Sequence, residues 1–263
     1  VVRNRALNVL DMKEFKLLLT SDNEDLNQKA IELSKKIKLP FVGHLADLKK
    51  NREDHEDSFL LIVSEDLIYL KKGLAGTSKP IYCDFYKWSK ENKRNNLVRS
   101  MRGLPQQGVI IDATAGFGRD ALILSSLVER VILIERVPWV SALLEDGLKN
   151  SREQLPYLSS TQVICCDSKK YLLNLKTKPD AIYLDPMFEK MGKSKAKREV
   201  QALRDLTIQS NEDELLEVAL KKAKDRVVVK RHKKVKNLSG LKPTFSLTGR
   251  VVRYDVYSIS QAY

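Results

Sequence analysis

The chain of 263 residues is 43% hydrophobic and 31% charged, with 11 Gly and 8 Pro. That suits one large domain, or one domain with a smaller addition, and excludes a fibrous or low-complexity chain. No apolar run approaches the roughly 20 residues that span a bilayer, and the formal net charge of +13 favours a polyanionic partner. Residues 1–11 read as a tail upstream of a natural start at Met12. In chain order, residues 16–19 read as a strand and 26–37 as a helix with Leu26, Ala30, Leu33 and Ile37 on one face, stopped by Pro40. Residues 59–63 and 67–70 form a predicted hairpin around Ser64, Glu65 and Asp66, and 81–85 a further strand. Residues 87–102 are basic and predicted helical.

From Gly108 the rhythm changes to alternating strands and helices. Strands are predicted at 109–111, 131–134, 162–166, 181–184 and 227–229, and helices at 121–128, 140–148 and 212–222. Continuous apolar strands alternating with helices imply a parallel sheet covered on both faces. Strands at 245–247 and 251–257, joined by Thr248, Gly249 and Arg250, suit an antiparallel hairpin. The expected fold is therefore α/β: a class I methyltransferase (Rossmann-like), mostly parallel seven-stranded sheet with a C-terminal antiparallel hairpin. A smaller N-terminal α+β domain over 12–104 precedes a catalytic domain over 105–263.

The charge excess is clustered. One group runs through Lys87, Lys90, Lys93, Arg94, Arg99 and Arg102; a second is Lys190, Lys193, Lys195, Lys197 and Arg198; a third is Lys230, Arg231, His232, Lys233, Lys234 and Lys236. Clustering favours nucleic acid over a merely soluble surface. Three cysteines without C-x-x-C spacing argue against a zinc site and a disulfide framework. Cys165 and Cys166 are expected buried as free thiols, in a reducing, cytoplasmic compartment. His44, His55 and His232 show no metal-ligand spacing, so no metal is expected.

Two motifs carry the chemistry. The first is Asp112-Ala-Thr-Ala-Gly116-Phe-Gly118-Arg119-Asp120, between a strand and a helix. Its glycines allow a tight turn and close approach to a ligand outside the strand ends. Glu135 closes the next strand, where a carboxylate can accept hydrogen bonds from ribose hydroxyls. A dinucleotide site wants a third Gly and a pyrophosphate on the helix N-terminus. Asp120 would repel that pyrophosphate, yet could hold the ammonium of a methionine moiety; alternatively it only caps the helix. Asp167 and Ser168 follow the third strand, either reaching an adenine or capping a helix around Tyr171. The cofactor expected is S-adenosylmethionine.

The second motif is Leu184-Asp185-Pro186-Met187-Phe188, after the fourth strand. It is similar to the Asp/Asn-Pro-Pro-Phe/Tyr motif of enzymes that methylate amino or amide nitrogens, with Met187 replacing the second Pro. A ring-bound amino group is a poor nucleophile because its lone pair is delocalised. Acceptors on its hydrogens, here the Asp185 carboxylate and the Pro186 carbonyl, raise electron density on nitrogen. Phe188 offers a face on which a base can stack, and in-line positioning would supply the rest. The alternative is a strand-ending Asp-Pro turn with a core Phe.

Four blocks together resemble the bacterial ribosomal RNA small-subunit methyltransferase J family. They are the glycine motif itself; Glu135-Arg136 with Leu143-Leu-Glu-Asp-Gly-Leu148; Ile182-Tyr-Leu-Asp-Pro-Met-Phe188, which carries the family's Asp-Pro-Met-Phe; and Lys193-Ser194, Lys197-Arg198-Glu199 and Arg226-Val-Val-Val-Lys-Arg231. The resemblance covers residues 94–257. It departs at Asp167, where Ser is expected, and at residues 93–96, expected to be Gly-rich. It implies methylation of the exocyclic N2 of a guanine in 16S ribosomal RNA, within the small subunit or an assembly intermediate. It also implies a cofactor pocket lined by Gly116, Arg119, Asp120, Glu135, Arg136, Asp167, Ser168 and Asp185. Catalytic residues are then Asp185, Pro186 and Phe188. Lys193, Lys195, Lys197, Arg198, Lys230 and Arg231 are the candidate RNA contacts, with the N-terminal region docking RNA or ribosome by analogy. The rival readings are methylation of DNA adenine N6 or a protein glutamine amide, a Rossmann dehydrogenase, and a non-catalytic RNA-binding protein.

Overall fold

The computed structural model describes residues 17–50, 58–74, 78–91, 95–186 and 212–259. They divide into two compact units, one of residues 17–81 and one of 82–186 with 212–259.

The first unit is a four-stranded sheet in the order β2-β1-β3-β4. Its strands are β1 (Leu17–Ser21), β2 (Phe41–His44), β3 (Phe59–Val63) and β4 (Ile68–Lys72). β1 runs parallel to β2 and β3, and β4 closes the predicted hairpin antiparallel to β3. The apolar run of β3 is buried throughout, as expected of a strand covered on both faces. Helix α1 (Asn27–Ile37) buries Ala30 and Ile37. Its stop comes before Pro40: Lys38 adopts a left-handed φ of 57° and its N–H bonds to the Ser34 carbonyl. The Pro40 carbonyl instead accepts from the Leu19 N–H at 3.0 Å. Strand β2 and helix α2 (Leu45–Lys50) leave little pattern in the sequence, because Phe41–His44 is short, only half-buried and interrupted by Gly43.

The strand expected over 81–85 does not form. Ile81 makes one bridge to Leu70, and helix α3 (Phe85–Glu91) begins at Phe85. The Asp84 carboxylate accepts the Lys87 N–H at 2.9 Å, a helix-starting contact that competes with extension. With α4 (Asn95–Ser100), α3 packs in the second unit, although residues 82–104 were expected with the N-terminal part. Cys83 fits against Gly147, where an added Cβ would lie 2.4 Å from the Cys83 Cβ. The Arg226 guanidinium donates to the carbonyls of Ser100 and Arg102.

The second unit has a seven-stranded sheet, ordered β10-β11-β9-β8-β5-β6-β7. Its strands are β5 (Val109–Asp112), β6 (Arg130–Glu135), β7 (Thr161–Cys165), β8 (Ala181–Leu184), β9 (Arg226–His232), β10 (Phe245–Thr248) and β11 (Val252–Ser258). The first five are mutually parallel; β11 inserts antiparallel between β9 and β10. This is the expected mostly parallel sheet with its C-terminal hairpin. Ile111, Ile134, Ile182, Val227 and Val229 form one core with Leu216 and Ala219 of α8 (Glu212–Lys222). Helix α6 (Pro138–Ser151) contributes Trp139, Leu143, Leu144 and Leu148 as buried residues, and α7 (Ser168–Leu173) contributes Leu172.

Helix α5 (Ala121–Leu124) is far shorter than the expected 121–128. Ser125 shares a hydrogen bond with Thr161 on β7 at 2.8 Å, and the Ser126 hydroxyl bonds back to the Ile123 carbonyl. The Ser126 bond to a backbone carbonyl is of the kind that competes with continued helix. The cysteine expectation is also corrected. Cys165 is exposed and Cys166 half-buried, because β7 is an edge strand and leaves that end of the run uncovered.

Candidate active site

The parallel strands β5, β6 and β8 end at one edge, and there the two motifs meet. Asp112 closes β5 and is buried; its carboxylate accepts from the Thr114 N–H at 3.0 Å. The Thr114 hydroxyl oxygen in turn accepts the Asp185 N–H at 2.6 Å, tying the glycine loop to the start of the Asp-Pro motif. Neither Asp112 nor Thr114 was singled out as a site residue from sequence. The signal available was only their place inside the glycine motif.

The glycines differ in what they require. Gly116 has φ of 53°, and an added Cβ would meet no atom nearer than the Thr114 carbonyl at 4.0 Å. The loop is therefore open at the point where a ligand must approach. Gly118 has φ of 74°, and its Cβ would lie 2.5 Å from Leu144 and 2.9 Å from Phe85. Gly118 thus supplies the close packing that a third glycine gives in dinucleotide folds.

Glu135 ends β6 and is buried. Its two oxygens accept the N–H groups of Gly116 at 3.0 Å and Val137 at 2.7 Å. Burial raises its pKa, opposed by those hydrogen bonds and by the neighbouring Arg136. With the Arg136 backbone also donating, the carboxylate's four lone-pair sites still leave one for a ribose hydroxyl. Arg136 itself is exposed. Arg119 lays its guanidinium over the Trp88 ring at 4.3 Å, so α3 orients a residue of the glycine motif. Trp88 gave no such signal in sequence.

Asp120 stands at the N-terminus of α5 but does not cap it with its side chain. Its carboxylate, 6% exposed, accepts from the Tyr183 hydroxyl and the Lys230 ammonium, each at 2.8 Å. The Lys230 ammonium also donates to Asp185 at 2.5 Å. Register explains the meeting: Leu184 pairs with Val229 across β8 and β9, which places Asp185 and Lys230 side by side. Asp112 lies within the same field. Burial pushes its carboxyl pKa up to about 7, opposed chiefly by the Thr114 backbone hydrogen bond; Asp185 adds to the rise and Lys230 counters it.

Asp167 is exposed and caps α7, accepting the Lys170 N–H at 2.8 Å. The Ser168 hydroxyl donates to the Ala113 carbonyl at 2.6 Å, pinning α7 to the glycine loop. Pro186 is buried behind Asp185. Phe188, Lys193, Lys195, Lys197 and Arg198 lie outside the described residues. Lys230 and Arg231, expected on the RNA side, turn inward instead: Lys230 joins the two carboxylates, and the buried Arg231 donates to the Lys236 carbonyl at 3.1 Å. Among the described residues no cluster of three or more His, Cys, Asp or Glu is placed to hold a metal, and no helix is long and apolar enough to cross a membrane.

Comparison with known proteins fits this geometry. The family model of SAM-dependent methyltransferases matches residues 44–259. The chain is similar to a ribosomal RNA small subunit methyltransferase J of Legionella pneumophila, 35% identical over 247 residues, covering 90% of this chain and 93% of that protein. A protein of the same name from Coxiella burnetii is 35% identical over 240 residues, covering 87% and 91%. One from Thioalkalivibrio sulfidiphilus is 31% identical over 262 residues, covering 94% and 99%. A solved SAM-dependent methyltransferase from Neisseria gonorrhoeae shares the fold, with a TM-score of 0.69, 24% identity, and coverage of 94% of this chain and 97% of that one.

Proposed function

The chain belongs to the ribosomal RNA small subunit methyltransferase J family, and on that premise we propose that it methylates the exocyclic N2 of a guanine in 16S ribosomal RNA. It is an S-adenosylmethionine-dependent methyltransferase. The observation that carries the reading is the junction of two motifs at one sheet edge, through the Thr114–Asp185 hydrogen bond and the Lys230 ion pairs.

The residues suit this cofactor. Asp120 and Asp185 set two carboxylates around one ammonium, which favours a cationic ligand and disfavours a pyrophosphate. Gly116 leaves the loop open, and Glu135 stands fixed by backbone donors with a lone pair to spare. When bound, S-adenosylmethionine supplies an electrophilic methyl group on a sulfonium.

The protein's share is placement. Asp185, 30% exposed, is fixed by its own N–H on Thr114 and by Lys230 on one carboxylate oxygen. The other oxygen and the Pro186 carbonyl accept the amino hydrogens of the base, which directs the nitrogen lone pair toward the methyl. Phe188 provides the stacking face. A guanine within a stem must first leave its stack, at a cost of a few kcal/mol. Lys193, Lys195, Lys197 and Arg198 follow the motif directly and contact phosphates flanking the target, within the small subunit or an assembly intermediate. Methylation of DNA adenine or of a glutamine amide would use the same acceptor pair.

The test is transfer of labelled methyl to small subunits lacking the modification, by wild type and Asp185→Ala, followed by digestion to nucleosides. Label in N2-methylguanosine, lost in Asp185→Ala, is the expected result. Cofactor binding without label in the subunit would discard the ribosomal substrate.

A further inference from the structure

Beyond β9 the chain carries three lysines on a loop that is fastened along its length. Arg253 of β11 is buried, and its guanidinium donates to the carbonyls of His232 and Lys233 at 3.1 Å and of Val235 at 2.8 Å. It also donates to the Asn237 side chain at 2.9 Å, while its Nε pairs with the fully buried Asp255 at 2.8 Å. The Arg231 guanidinium holds the Lys236 carbonyl. Leu238 is buried, and the Ser239 N–H and hydroxyl both donate to Asp213 at the start of α8.

An arginine–aspartate pair is expensive to bury and contributes little net stability against an apolar pair of equal volume. Here it holds the carbonyls of a polar surface loop. What that loop presents outward is Lys233, Lys234 and Lys236, all exposed and none in an ion pair with a described carboxylate. The loop leaves the same sheet edge as Asp185. Lys233 lies three residues beyond Lys230, which touches Asp185, a span of at most about 10 Å of chain.

We propose that Lys233, Lys234 and Lys236 form a phosphate-binding rim for the RNA beside the methyl-transfer site, with Arg253 as the residue that sets its shape. The inference rests on the RNA-substrate reading above and adds the surface that meets the backbone. Cations on a fixed loop lose less conformational freedom on binding than cations on a loose one. The contacts are to phosphates, so they position the strand and leave the choice of base to the Asp185 motif.

The test compares wild type, Lys233→Ala/Lys234→Ala/Lys236→Ala and Arg253→Met for binding to 16S ribosomal RNA across a salt series. In the triple variant RNA affinity falls on the order of a hundredfold at 0.1 M salt. The plot of log affinity against log salt becomes shallower by about two units, at roughly 0.7–0.9 per lost phosphate contact. Its turnover at saturating RNA and its affinity for S-adenosylhomocysteine stay at wild-type values. Arg253→Met keeps all three charges yet also weakens RNA binding; should it fail to fold, the exposed triple variant decides alone. A triple variant with unchanged slope and affinity within twofold, while wild type binds and methylates the RNA, overturns the rim. A wild type without salt-dependent RNA affinity overturns the substrate reading and the rim together.

Discussion

Lys230 and Asp185 form an ion pair of 2.5 Å across neighbouring parallel strands, and the same ammonium reaches Asp120 at 2.8 Å. One side chain, 15% exposed, therefore joins the acid that ends the glycine loop to the acid that heads the Asp-Pro motif. Without it two carboxylates would face each other in a partly dry site, where like charges repel strongly.

Lys230→Met is accordingly expected to lower the rate of methyl transfer by an order of magnitude or more. Removing one partner of a buried pair typically costs about 3–5 kcal/mol, less here because Asp185 is partly exposed. Lys230→Arg, which keeps the charge, should recover part of the rate. Single-turnover kinetics checks this, and equal rates in Lys230→Met and wild type would refute it.

The two loop glycines separate stability from binding. Gly118→Ala puts a methyl against Leu144 and Phe85 at a φ of 74°, and should cost roughly 2–4 kcal/mol of stability by urea denaturation. Gly116→Ala meets open space at a φ of 53° and should cost about 1–2 kcal/mol. In the proposed cofactor site its methyl would stand in the path of the ligand. Calorimetry with S-adenosylhomocysteine should show the larger affinity loss in Gly116→Ala.

Asp112 makes stability depend on pH. Its folded pKa of about 7 lies above the ordinary 3.8, so the folded chain holds this proton more tightly than the unfolded chain. The contribution is fully present below about pH 4 and is lost as pH rises to about 7. Asp112→Asn keeps the acceptor oxygen for Thr114 and carries no charge. Its melting temperature should exceed that of wild type at pH 8, with the difference shrinking at pH 5. A pH-independent difference would contradict the assignment.

For Asp167 the hydrogen bond to the Lys170 N–H predicts a capping role. Asp167→Ala should lose about 1 kcal/mol, while Asp167→Asn, also a good cap, should keep stability. Unchanged S-adenosylhomocysteine affinity in Asp167→Asn would separate capping from a charge-dependent cofactor contact.

The layout of the second unit is legible in its residue pattern alone. The central strands β5, β6, β8 and β9 are mostly buried, so their apolar runs stand out, and glycine or proline marks several of the turns between elements. The hairpin at 59–70 was legible for the same reason: Phe59–Val63 is apolar throughout. The glycine loop and the Asp185 motif were legible because their chemistry needs particular residue types at adjacent positions.

Features that depend on neighbours distant in sequence emerge only in the assembled fold. Strand β2 is half-buried and carries little pattern. Helix α5 ends at Leu124, and the next residue, Ser125, shares a hydroxyl bond with Thr161 of β7, a partner that no local window contains. Cys165 sits in an apolar run yet is exposed, because sheet order puts β7 at an edge. Above all, Lys230 and Arg231 read as two more members of a basic cluster. Strand pairing, which sets Val229 beside Leu184, aims Lys230 at Asp185, while Arg231 reaches the Lys236 carbonyl. Charge is a property of composition; its direction is fixed by the register of the sheet and by which carboxylates and carbonyls lie within reach.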